Sequence, residues 1–281
     1  MSWIILSCII LTLLYAARKP RPAKDAEGAS FNSFINDNKT VTNTAKLNKG
    51  PKDTIVVASY NVQTGKSLEG KRDIKRSANV IQHVDIAGIQ EVYALSWLNK
   101  LGIGTNQTNA LASPGKFTWL FCPTRLRWLK ENRGNAVLSK LPIKSWQIKM
   151  LPDQTNNSFR NMTVICFEWQ QQNCYFINTH LHTGNGRLKQ LETVLNEFDK
   201  YSPAILVGDF NSKPDTQILI DYLNNSDSID SIKAASINHT DNERIDWILT
   251  KGWKTESGRI LEKGISDHPY YEVTLSLNQT C

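Results

Sequence analysis

The sequence predicts a layered α/β or α+β domain in which stacked β-sheets are covered by helices. Two observations support this fold class. Short apolar runs rich in β-branched residues outnumber the helical segments, and the two kinds of segment interleave irregularly along the chain. Polar residues also cluster where the predicted strands end, and functional sites commonly collect at strand ends and in the loops after them.

The individual elements follow from periodicity. Residues 54–60 form a short apolar run typical of a buried strand, whereas residues 73–84 carry apolar side chains at helical spacing. Further strands are predicted at residues 85–89, 117–121, 135–138, 162–169, 174–178, 204–207, 245–249 and 271–277, and further helices at 187–198 and 216–223.

Composition limits the class of protein. The chain has 281 residues, of which 40% are hydrophobic and 21% charged, which fits a globular protein rather than a disordered one. The net charge of +7 indicates either attraction to a polyanion, such as nucleic acid or anionic lipid headgroups, or an ordinary solvated basic surface. The five cysteines include no CxxC pair, so no zinc site is expected. Cys166 and Cys174 flank a predicted hairpin turn but would not lie directly opposite each other, so no disulfide framework is expected either.

The N-terminus divides into two segments before the folded part. Residues 1–17 contain an almost unbroken apolar run that is followed at once by basic residues, which predicts a single N-terminal membrane anchor. The alternative is a signal segment that is cleaved before secretion. Residues 18–52 are polar and lack apolar periodicity, so they are predicted to be a flexible linker, and residues 53–278 form the folded domain.

A carboxylate and a carboxamide follow the predicted strand at residues 204–207, in Gly208-Asp209-Phe210-Asn211. In an extended chain Asp209 and Asn211 would point the same way, because side chains alternate with period two. Such a pair can orient a water molecule and donate to a phosphate oxygen. The competing interpretation is an Asx-turn that only ends the strand.

Other strand ends carry similar groups. Ser266-Asp267-His268-Pro269 precedes the last strand, and a histidine beside a carboxylate can contact a phosphate or transfer a proton. Glu91 ends a buried strand, where it could bind a hard cation. Asp246 lies inside an apolar strand and needs a partner, for which a histidine is a natural choice. Taken singly, each fragment is also compatible with a turn or a surface residue.

The order of these fragments is more specific than any one of them. Asn61, Glu91, Gly134-Asn135, Asn178-Thr179-His180, Gly208-Asp209-Phe210-Asn211, Asp246 and Ser266-Asp267-His268 follow one another along the chain. This order resembles the endonuclease/exonuclease/phosphatase superfamily, which includes deoxyribonuclease I-like nucleases, apurinic endonucleases, inositol phosphatases, deadenylases and neutral sphingomyelinases. The resemblance covers about residues 54–277.

The resemblance implies a four-layer α/β sandwich, with two packed mixed sheets and helices outside. It also implies Mg²⁺- or Mn²⁺-dependent hydrolysis of phosphoesters without a covalent intermediate. The metal ligands would be Glu91 with Asn61 and Asp267. The catalytic residues would be His180, Asp209, Asn211, Asp246 and His268, with Asp209 acting on the attacking water and Asp246 fixing the ring of His268. The phosphate would be bound by Asn61, Asn211 and Arg160.

The substrate stays open between three classes. A nuclease is favoured by the basic balance and by the interleaved aromatic and basic residues at 119–130. A membrane-associated lipid phosphodiesterase of sphingomyelinase type is the alternative that the apolar N-terminus favours, and a phosphatase is a further alternative. A non-catalytic binding module is disfavoured because the whole polar set is retained. In each of the three classes the protein is expected to be a monomer. His182 and His239 match no motif and are expected at the surface or behind the site, and His83 is expected to be structural.

Overall fold

The computed structural model describes residues 2–18, 20–29, 53–94, 106–127, 130–153, 158–236 and 242–278. These residues form two mixed seven-stranded sheets that pack face to face. Strands are numbered β1 to β14 and helices α1 to α6 in chain order. In spatial order the first sheet contains β1 (Arg21–Pro22), β5 (Thr118–Leu126), β6 (Asn132–Ser139), β4 (Ile86–Ala94), β3 (Thr54–Asn61), β14 (Tyr270–Leu277) and β13 (Trp253–Leu261).

The second sheet repeats the plan of the first. Each sheet has one parallel pair near its centre, β3 with β4 and β9 with β10, and its other neighbours are antiparallel. In spatial order the second sheet contains β11 (Ile229–Asp230), β12 (Asp246–Lys251), β10 (Ala204–Asp209), β9 (Gln172–His180), β8 (Asn161–Trp169), β7 (Ile143–Met150) and β2 (Ala26–Gly28).

Helices cover the outer faces of both sheets. The described helices are α1 (Ser2–Arg18), α2 (Ile74–Ile81), α3 (Gln107–Ala112), α4 (Arg187–Phe198), α5 (Gln217–Asn225) and α6 (Ser231–Ala234). Helices α2 and α3 share an apolar cluster with the first sheet, and α4 and α5 share one with the second. A third cluster lies between the sheets. The four-layer α/β sandwich is therefore confirmed.

The connections of the parallel pairs place the site. Helix α2 joins β3 to β4 and α4 joins β9 to β10, because parallel neighbours need a crossover connection. Helix α2 begins after Asp73, whose side chain accepts a hydrogen bond from the backbone N–H of Lys75 at 3.0 Å. In both sheets the carboxyl ends of the parallel strands lie at the same edge of the sandwich, where open α/β sheets usually bind ligands.

A polar cluster joins the two sheets directly beneath that edge. Asn178 on β9 accepts a hydrogen bond from the side chain of Gln90 at 2.8 Å and donates to the carbonyls of Ile89 and Ala136 at 3.3 and 3.0 Å. The sheets can approach this closely because residue 88 is a glycine, since a Cβ there would lie 2.4 Å from Val207. The position of β9 relative to β4 and β6 is thereby set by hydrogen bonds as well as by apolar packing.

The N-terminal stretch departs from the predicted linker. Within residues 20–29, β1 pairs with β5 at one edge of the first sheet and β2 pairs with β7 at one edge of the second. Ala23 between them is buried, and Asp25 accepts a hydrogen bond from the backbone N–H of Met150 at 2.7 Å. Polar composition predicted a linker here because backbone pairing with a sheet edge requires no apolar side chains.

The predicted N-terminal membrane anchor is wrong. The apolar run forms α1, a helix of 17 residues. At 1.5 Å per residue this is about 26 Å, less than the roughly 30 Å hydrocarbon core of a bilayer. Among the described residues, no helix is both long enough and apolar enough to cross a membrane.

Candidate active site

The ends of the parallel strands bring the sequence-predicted residues together. Asn61 ends β3, His180 ends β9 and Asp209 ends β10. Asp209 pairs in register with His180 on one side and with Asp246 on the other. Side chains of directly opposed residues lie on the same face of a sheet, so these groups converge on one point. His268 follows in the loop before β14 and completes the group.

A chain of hydrogen bonds connects these side chains. Asn61 donates from Nδ2 to Asp209 Oδ2 at 3.0 Å, and its Nδ2 lies 3.4 Å from His268 Nε2. His268 Nδ1 lies 2.8 Å from Asp246 Oδ2, and its Nε2 lies 3.7 Å from Asp209 Oδ2. His180 Nε2 is 3.4 Å from the same Asp209 oxygen. His268 is therefore held between two carboxylates, with its Nδ1 fixed by Asp246.

Burial and charge shift the protonation of this group. Burial, followed by the charge of Asp246, raises the pKa of Asp209 to about 7. Burial alone would lower the pKa of His268, but its hydrogen bond to Asp246 and the charge of that carboxylate raise it to about 9. Burial, followed by the charge of Arg160, holds the pKa of His180 well below its usual range. The site thus contains a protonated His268, a neutral His180 and a carboxyl group poised near neutral pH.

Asn211 reaches the site by a turn rather than by an extended chain. Strand β10 ends at Asp209, and Asn211 has a positive φ of 49°. Its backbone N–H donates to Asp209 Oδ1 at 2.9 Å, which is an Asx-turn, and its Nδ2 donates to the carbonyl of Leu181 at 3.0 Å. The expectation that alternation in an extended chain aligns Asp209 with Asn211 is therefore wrong, although the turn still keeps both residues at the strand end.

Glu91 lies at an irregularity in β4. The register between β4 and β6 shifts between Ile89 and Val92, and Glu91 has a positive φ of 58°. A non-glycine residue in this backbone region is strained, and such strain concentrates at functional sites. The bulge turns the Glu91 carboxylate toward Arg133, which it contacts at 2.5 Å.

Arg160 is a cation close to His180 and Asp209. Its Nε donates to the carbonyl of Leu181 at 3.0 Å, the same carbonyl that accepts from Asn211. Burial, followed by repulsion from Arg133, lowers the pKa of Arg160 to about 10. The structure therefore places Arg160 close enough to Arg133 and Asp209 to act on the same bound group.

Asp267 is positioned through a residue that the sequence motifs did not single out. Gln63 donates from Nε2 to Asp267 Oδ2 at 2.6 Å, and its backbone N–H donates to Asn61 Oδ1 at 3.1 Å. Ser266 Oγ donates to the Asn61 carbonyl at 2.7 Å. The loop with Asp267 and His268 is thereby attached to the end of β3.

Two sets of side chains are candidates for binding a metal, one brought together by the structure and one predicted from the sequence. Ligand atoms of Asp209, Asp246 and His268 lie within 4.8 Å of one another. Within the described part of the chain, Asp246 Oδ1 is buried without a hydrogen-bond partner, which leaves an oxygen available for a cation. The predicted ligands Glu91, Asn61 and Asp267 are not joined by direct contacts, because Glu91 contacts Arg133 and Gln63 bridges the other two. Oxygen donors of both groups suit Mg²⁺ or Mn²⁺.

Several neighbouring residues have a local structural explanation. His182 Nδ1 accepts a hydrogen bond from the backbone N–H of Gly184 at 3.0 Å, and His83 lies 2.6 Å from Glu272 on the outer face of the first sheet. Arg187 donates to the Asn211 carbonyl at 2.7 Å and supports that turn, although helical periodicity alone gave no sign of this role. His239 lies outside the described residues, as do residues 128 and 129 of the interleaved aromatic and basic stretch.

Comparison with known proteins agrees with this fold. The model of the Endonuclease/Exonuclease/phosphatase family matches residues 58–268, so the chain belongs to this family. Members of the family are generally phosphoesterases that depend on a divalent metal. No curated protein matches the sequence.

Solved structures share the fold at low sequence identity. An endonuclease/exonuclease/phosphatase from Beutenbergia cavernae DSM 12333 has a TM-score of 0.65 at 19% identity, over 81% of this chain and 72% of that one. One from Bacteroides vulgatus has a TM-score of 0.62 at 16% identity, over 81% of this chain and 100% of that one. A mannosyl-6-phosphatase from Bacteroides thetaiotaomicron VPI-5482 has a TM-score of 0.59 at 16% identity, over 79% of this chain and 100% of that one.

Proposed function

We propose that the chain is a Mg²⁺- or Mn²⁺-dependent phosphodiesterase of the nuclease type. The observation that supports this most strongly is the buried group of Asn61, Asp209, Asp246 and His268 at the ends of the parallel strands. Titratable groups that are buried together at a strand end and have strongly shifted pKa values are typical of a site that acts on a ligand or a proton.

Asp209 is proposed to hold and deprotonate the attacking water. Its two oxygens accept hydrogen bonds from the Asn61 side chain and the Asn211 backbone, which fix the direction of the carboxylate. Its raised pKa makes it a stronger base than an exposed aspartate, as general-base catalysis near neutral pH requires.

Donors around Asp209 are proposed to bind the phosphate. His268 carries a positive charge that Asp246 maintains, and its Nε2 points toward the same region as the amide of Asn61. The side chains of Arg160 and Asn211 both donate to the carbonyl of Leu181, which holds these two donors next to each other. His180, being neutral, can donate one N–H to a phosphate or leaving-group oxygen. Preorganised donors of this kind stabilise the charge that develops on phosphoryl oxygens.

Glu91 is proposed as the main metal ligand, with Asn61 and Asp267 nearby. His268 Nδ1 and Asp246 Oδ2 already bind each other at 2.8 Å, so this pair is better suited to phosphate contact than to metal binding. A divalent cation bound at Glu91 would neutralise negative charge on the phosphoryl oxygens.

Replacing Glu91 with glutamine is therefore expected to weaken Mn²⁺ binding by more than roughly tenfold, since removing even an outer-shell partner of a metal ligand commonly costs 10- to 100-fold. Electron paramagnetic resonance of free Mn²⁺ measures this directly. Glu192→Gln changes the charge equally on the exposed face of α4 and serves as the control. If Glu91→Gln binds Mn²⁺ with unchanged affinity and Asp246→Asn binds it more weakly, the ion would instead lie at Asp209, Asp246 and His268.

The basic surface beside the site supports a nucleic acid as the substrate. Burial, followed by repulsion from Arg127 and Arg133, lowers the pKa of Arg125. Burial, followed by repulsion from Arg133, likewise lowers the pKa of Arg160, so these cations lie close together. A polyanion relieves such repulsion, whereas a substrate with a single phosphate needs fewer cations.

One panel of substrates tests the proposal. The full chain and Asp209→Ala are incubated with Mg²⁺ and plasmid DNA, RNA, sphingomyelin or bis(p-nitrophenyl) phosphate. We expect cleavage of a nucleic acid and of the nitrophenyl diester by the wild type alone. Release of choline phosphate would favour the lipid phosphodiesterase. No turnover of any substrate, or equal turnover by both proteins, would overturn the assignment.

A further inference from the structure

A shielded ion pair lies next to the strand that carries Asp246. The guanidinium of Arg244 binds the carboxylate of Asp230, with Nη2 at 2.5 Å from Oδ2 and Nη1 at 3.3 Å from Oδ1. Both side chains are largely shielded from solvent. Binding of both carboxylate oxygens by one guanidinium fixes the plane of that guanidinium as well as its position. Asp230 therefore holds Arg244 in one orientation.

The same guanidinium contacts the start of β12. Its Nη1 donates to the carbonyl of Asp246 at 3.4 Å, and its Cζ lies 4.1 Å from the centre of the Trp247 ring. A guanidinium over the face of an indole is attracted to it by a cation–π interaction. Asp246 and Trp247 are the first two residues of β12. Arg244 thus holds one backbone carbonyl and one side chain where this strand begins.

The ring of Trp247 links this contact to the turn after β10. Its Nε1 donates to the carbonyl of Ser212 at 2.8 Å, and the ring stacks on Phe210 with centroids 6.0 Å apart. Trp247 and Phe210 are both fully buried, so neither ring can shift without displacing its neighbours. Arg244 and Trp247 together therefore attach the start of β12 to the turn that follows Asp209.

Strand pairing alone gives this end of β12 little support. Of the described strands, only β10 pairs with residues 246–248, because β11 pairs no further than Leu249. Backbone with few neighbours opens more readily than backbone in the middle of a sheet. Asp230 is the last residue of β11 and accepts a hydrogen bond from the backbone N–H of Lys233 at 3.2 Å, which starts α6. The ion pair of Arg244 and Asp230 therefore joins β11 and α6 to the part of β12 that β11 does not reach.

The placement of Asp246 matters because of what its side chain binds. Asp246 Oδ2 lies 2.8 Å from His268 Nδ1, and this contact orients the ring whose Nε2 lies 3.7 Å from Asp209 Oδ2. The strength of a hydrogen bond depends steeply on its distance and angle. A shift of the Asp246 backbone would therefore turn the His268 ring or weaken its hold.

We propose that Arg244 is a positioning residue for phosphodiester hydrolysis, which holds Asp246 in the orientation that fixes the ring of His268, and that Asp230 anchors Arg244 in this role. The inference rests on the proposed function, in which His268 contacts the phosphate. Arg244 acts through Asp246 and Trp247 and is not itself assigned a contact with the substrate. Neither Arg244 nor Asp230 belongs to the ordered set of motifs.

Steady-state hydrolysis of bis(p-nitrophenyl) phosphate in saturating Mg²⁺ tests the kinetic consequence. Arg244→Lys keeps a charge beside Asp230 but lacks the planar fork that also reaches the Asp246 carbonyl. We expect kcat to fall by roughly tenfold to 10²-fold, because a misplacement of about 1 Å can cost as much. KM should stay within about twofold, since Arg244 is not in contact with the substrate. Asp230→Asn combined with Arg244→Gln replaces the charge pair by neutral amides, leaves no unpaired charge, and should lower kcat at least as far.

Lys251→Gln is the matched control at the other end of β12. Lys251 Nζ lies 5.3 Å from the centre of the Phe198 ring and donates to the carbonyl of Asp199 at 3.0 Å, so it makes the same kinds of contact away from the site. Its replacement should lower the melting temperature and leave kcat unchanged. If Arg244 served stability alone, Arg244→Lys would behave in the same way.

Long-range ¹H–¹⁵N NMR of the His268 ring, in EDTA and at one fixed pH, gives a readout that needs no activity. The signals of His268 are those that His268→Gln lacks. The chemical shift of Nδ1 reports its hydrogen bond to Asp246, and Asp246→Asn gives the shift when the charged acceptor is lost. We expect Arg244→Lys and the double variant to move the Nδ1 shift from the wild-type value toward that of Asp246→Asn. Lys251→Gln should keep the wild-type value.

Two results would overturn the proposal. One is wild-type kcat in Arg244→Lys and in the double variant. The other is a wild-type Nδ1 shift in both, even with a lowered kcat, because Arg244 would then act by another route. Failure of the proposed function is detected separately, as absence of diester hydrolysis by the wild type. The NMR comparison would then still decide whether Arg244 positions Asp246.

Discussion

Replacing Asp209 with asparagine is expected to lower kcat for phosphodiester hydrolysis by roughly 10²- to 10⁴-fold, the usual contribution of a general base. The substitution keeps the size of the side chain and one oxygen that can accept from the Asn61 amide or from the Asn211 backbone, but it removes the carboxylate that we propose accepts the proton of water. Steady-state hydrolysis of bis(p-nitrophenyl) phosphate in saturating Mg²⁺ measures the change.

The same substitution should stabilise the fold above neutral pH in the presence of EDTA. Burial and Asp246 raise the pKa of Asp209 from 3.8 to about 7, so between these values the folded protein binds the proton more tightly than the unfolded chain. Wild-type stability therefore falls as pH rises through this range. Asparagine is neutral throughout and escapes this loss. Thermal melts at pH 5 and pH 8 should show a larger advantage of Asp209→Asn at pH 8 than at pH 5.

Asp215→Asn is the matched control for both effects, because Asp215 is exposed in the loop before α5. It should change neither kcat nor the pH dependence of melting. An Asp209→Asn protein with wild-type kcat would remove Asp209 from the mechanism.

Replacing Asn178 with leucine is expected to destabilise the protein by roughly 3 kcal/mol or more. Three buried partners, the Gln90 amide and the carbonyls of Ile89 and Ala136, would lose a hydrogen bond, at about 1–3 kcal/mol for each group left unsatisfied. For a domain of this size that corresponds to a melting temperature lowered by about 6–12 °C.

Differential scanning calorimetry of Asn178→Leu beside Asn79→Ala checks this expectation. Asn79 is exposed on α2, where alanine favours the helix, so its effect should stay within about 0.5 kcal/mol. A melting temperature of Asn178→Leu equal to that of the wild type would mean that apolar packing alone holds the sheets together.

The buried strands could be predicted from sequence because burial on both faces leaves continuous apolar runs, as in β3 and β10. Strand β13 could not, because its middle residues are exposed and polar. Strand β7 carries lysines at exposed or half-buried positions and was missed for the same reason. Edge and surface strands are held by backbone pairing, which leaves little trace in hydropathy.

The candidate site could be predicted in part. Order along the chain indicated Asp209, Asp246 and His268 as one group, and the structure places His268 2.8 Å from Asp246 and 3.7 Å from Asp209. The order of the motifs did not indicate Gln63 or Arg133, because each makes a contact with a residue distant in sequence and lies in no motif. The left-handed backbone conformation of Glu91 could not be predicted from the sequence either, because a bulge depends on the register with the neighbouring strand.

The central claim, metal-dependent phosphodiester hydrolysis at the group around Asp209, is tested most directly by titrating Mg²⁺ into EDTA-treated protein with bis(p-nitrophenyl) phosphate. We predict nitrophenolate release that rises to saturation with Mg²⁺ in the wild type and remains at the background rate in Asp209→Asn. Release that is equal in EDTA and in Mg²⁺, or equal in the two proteins, would contradict the claim.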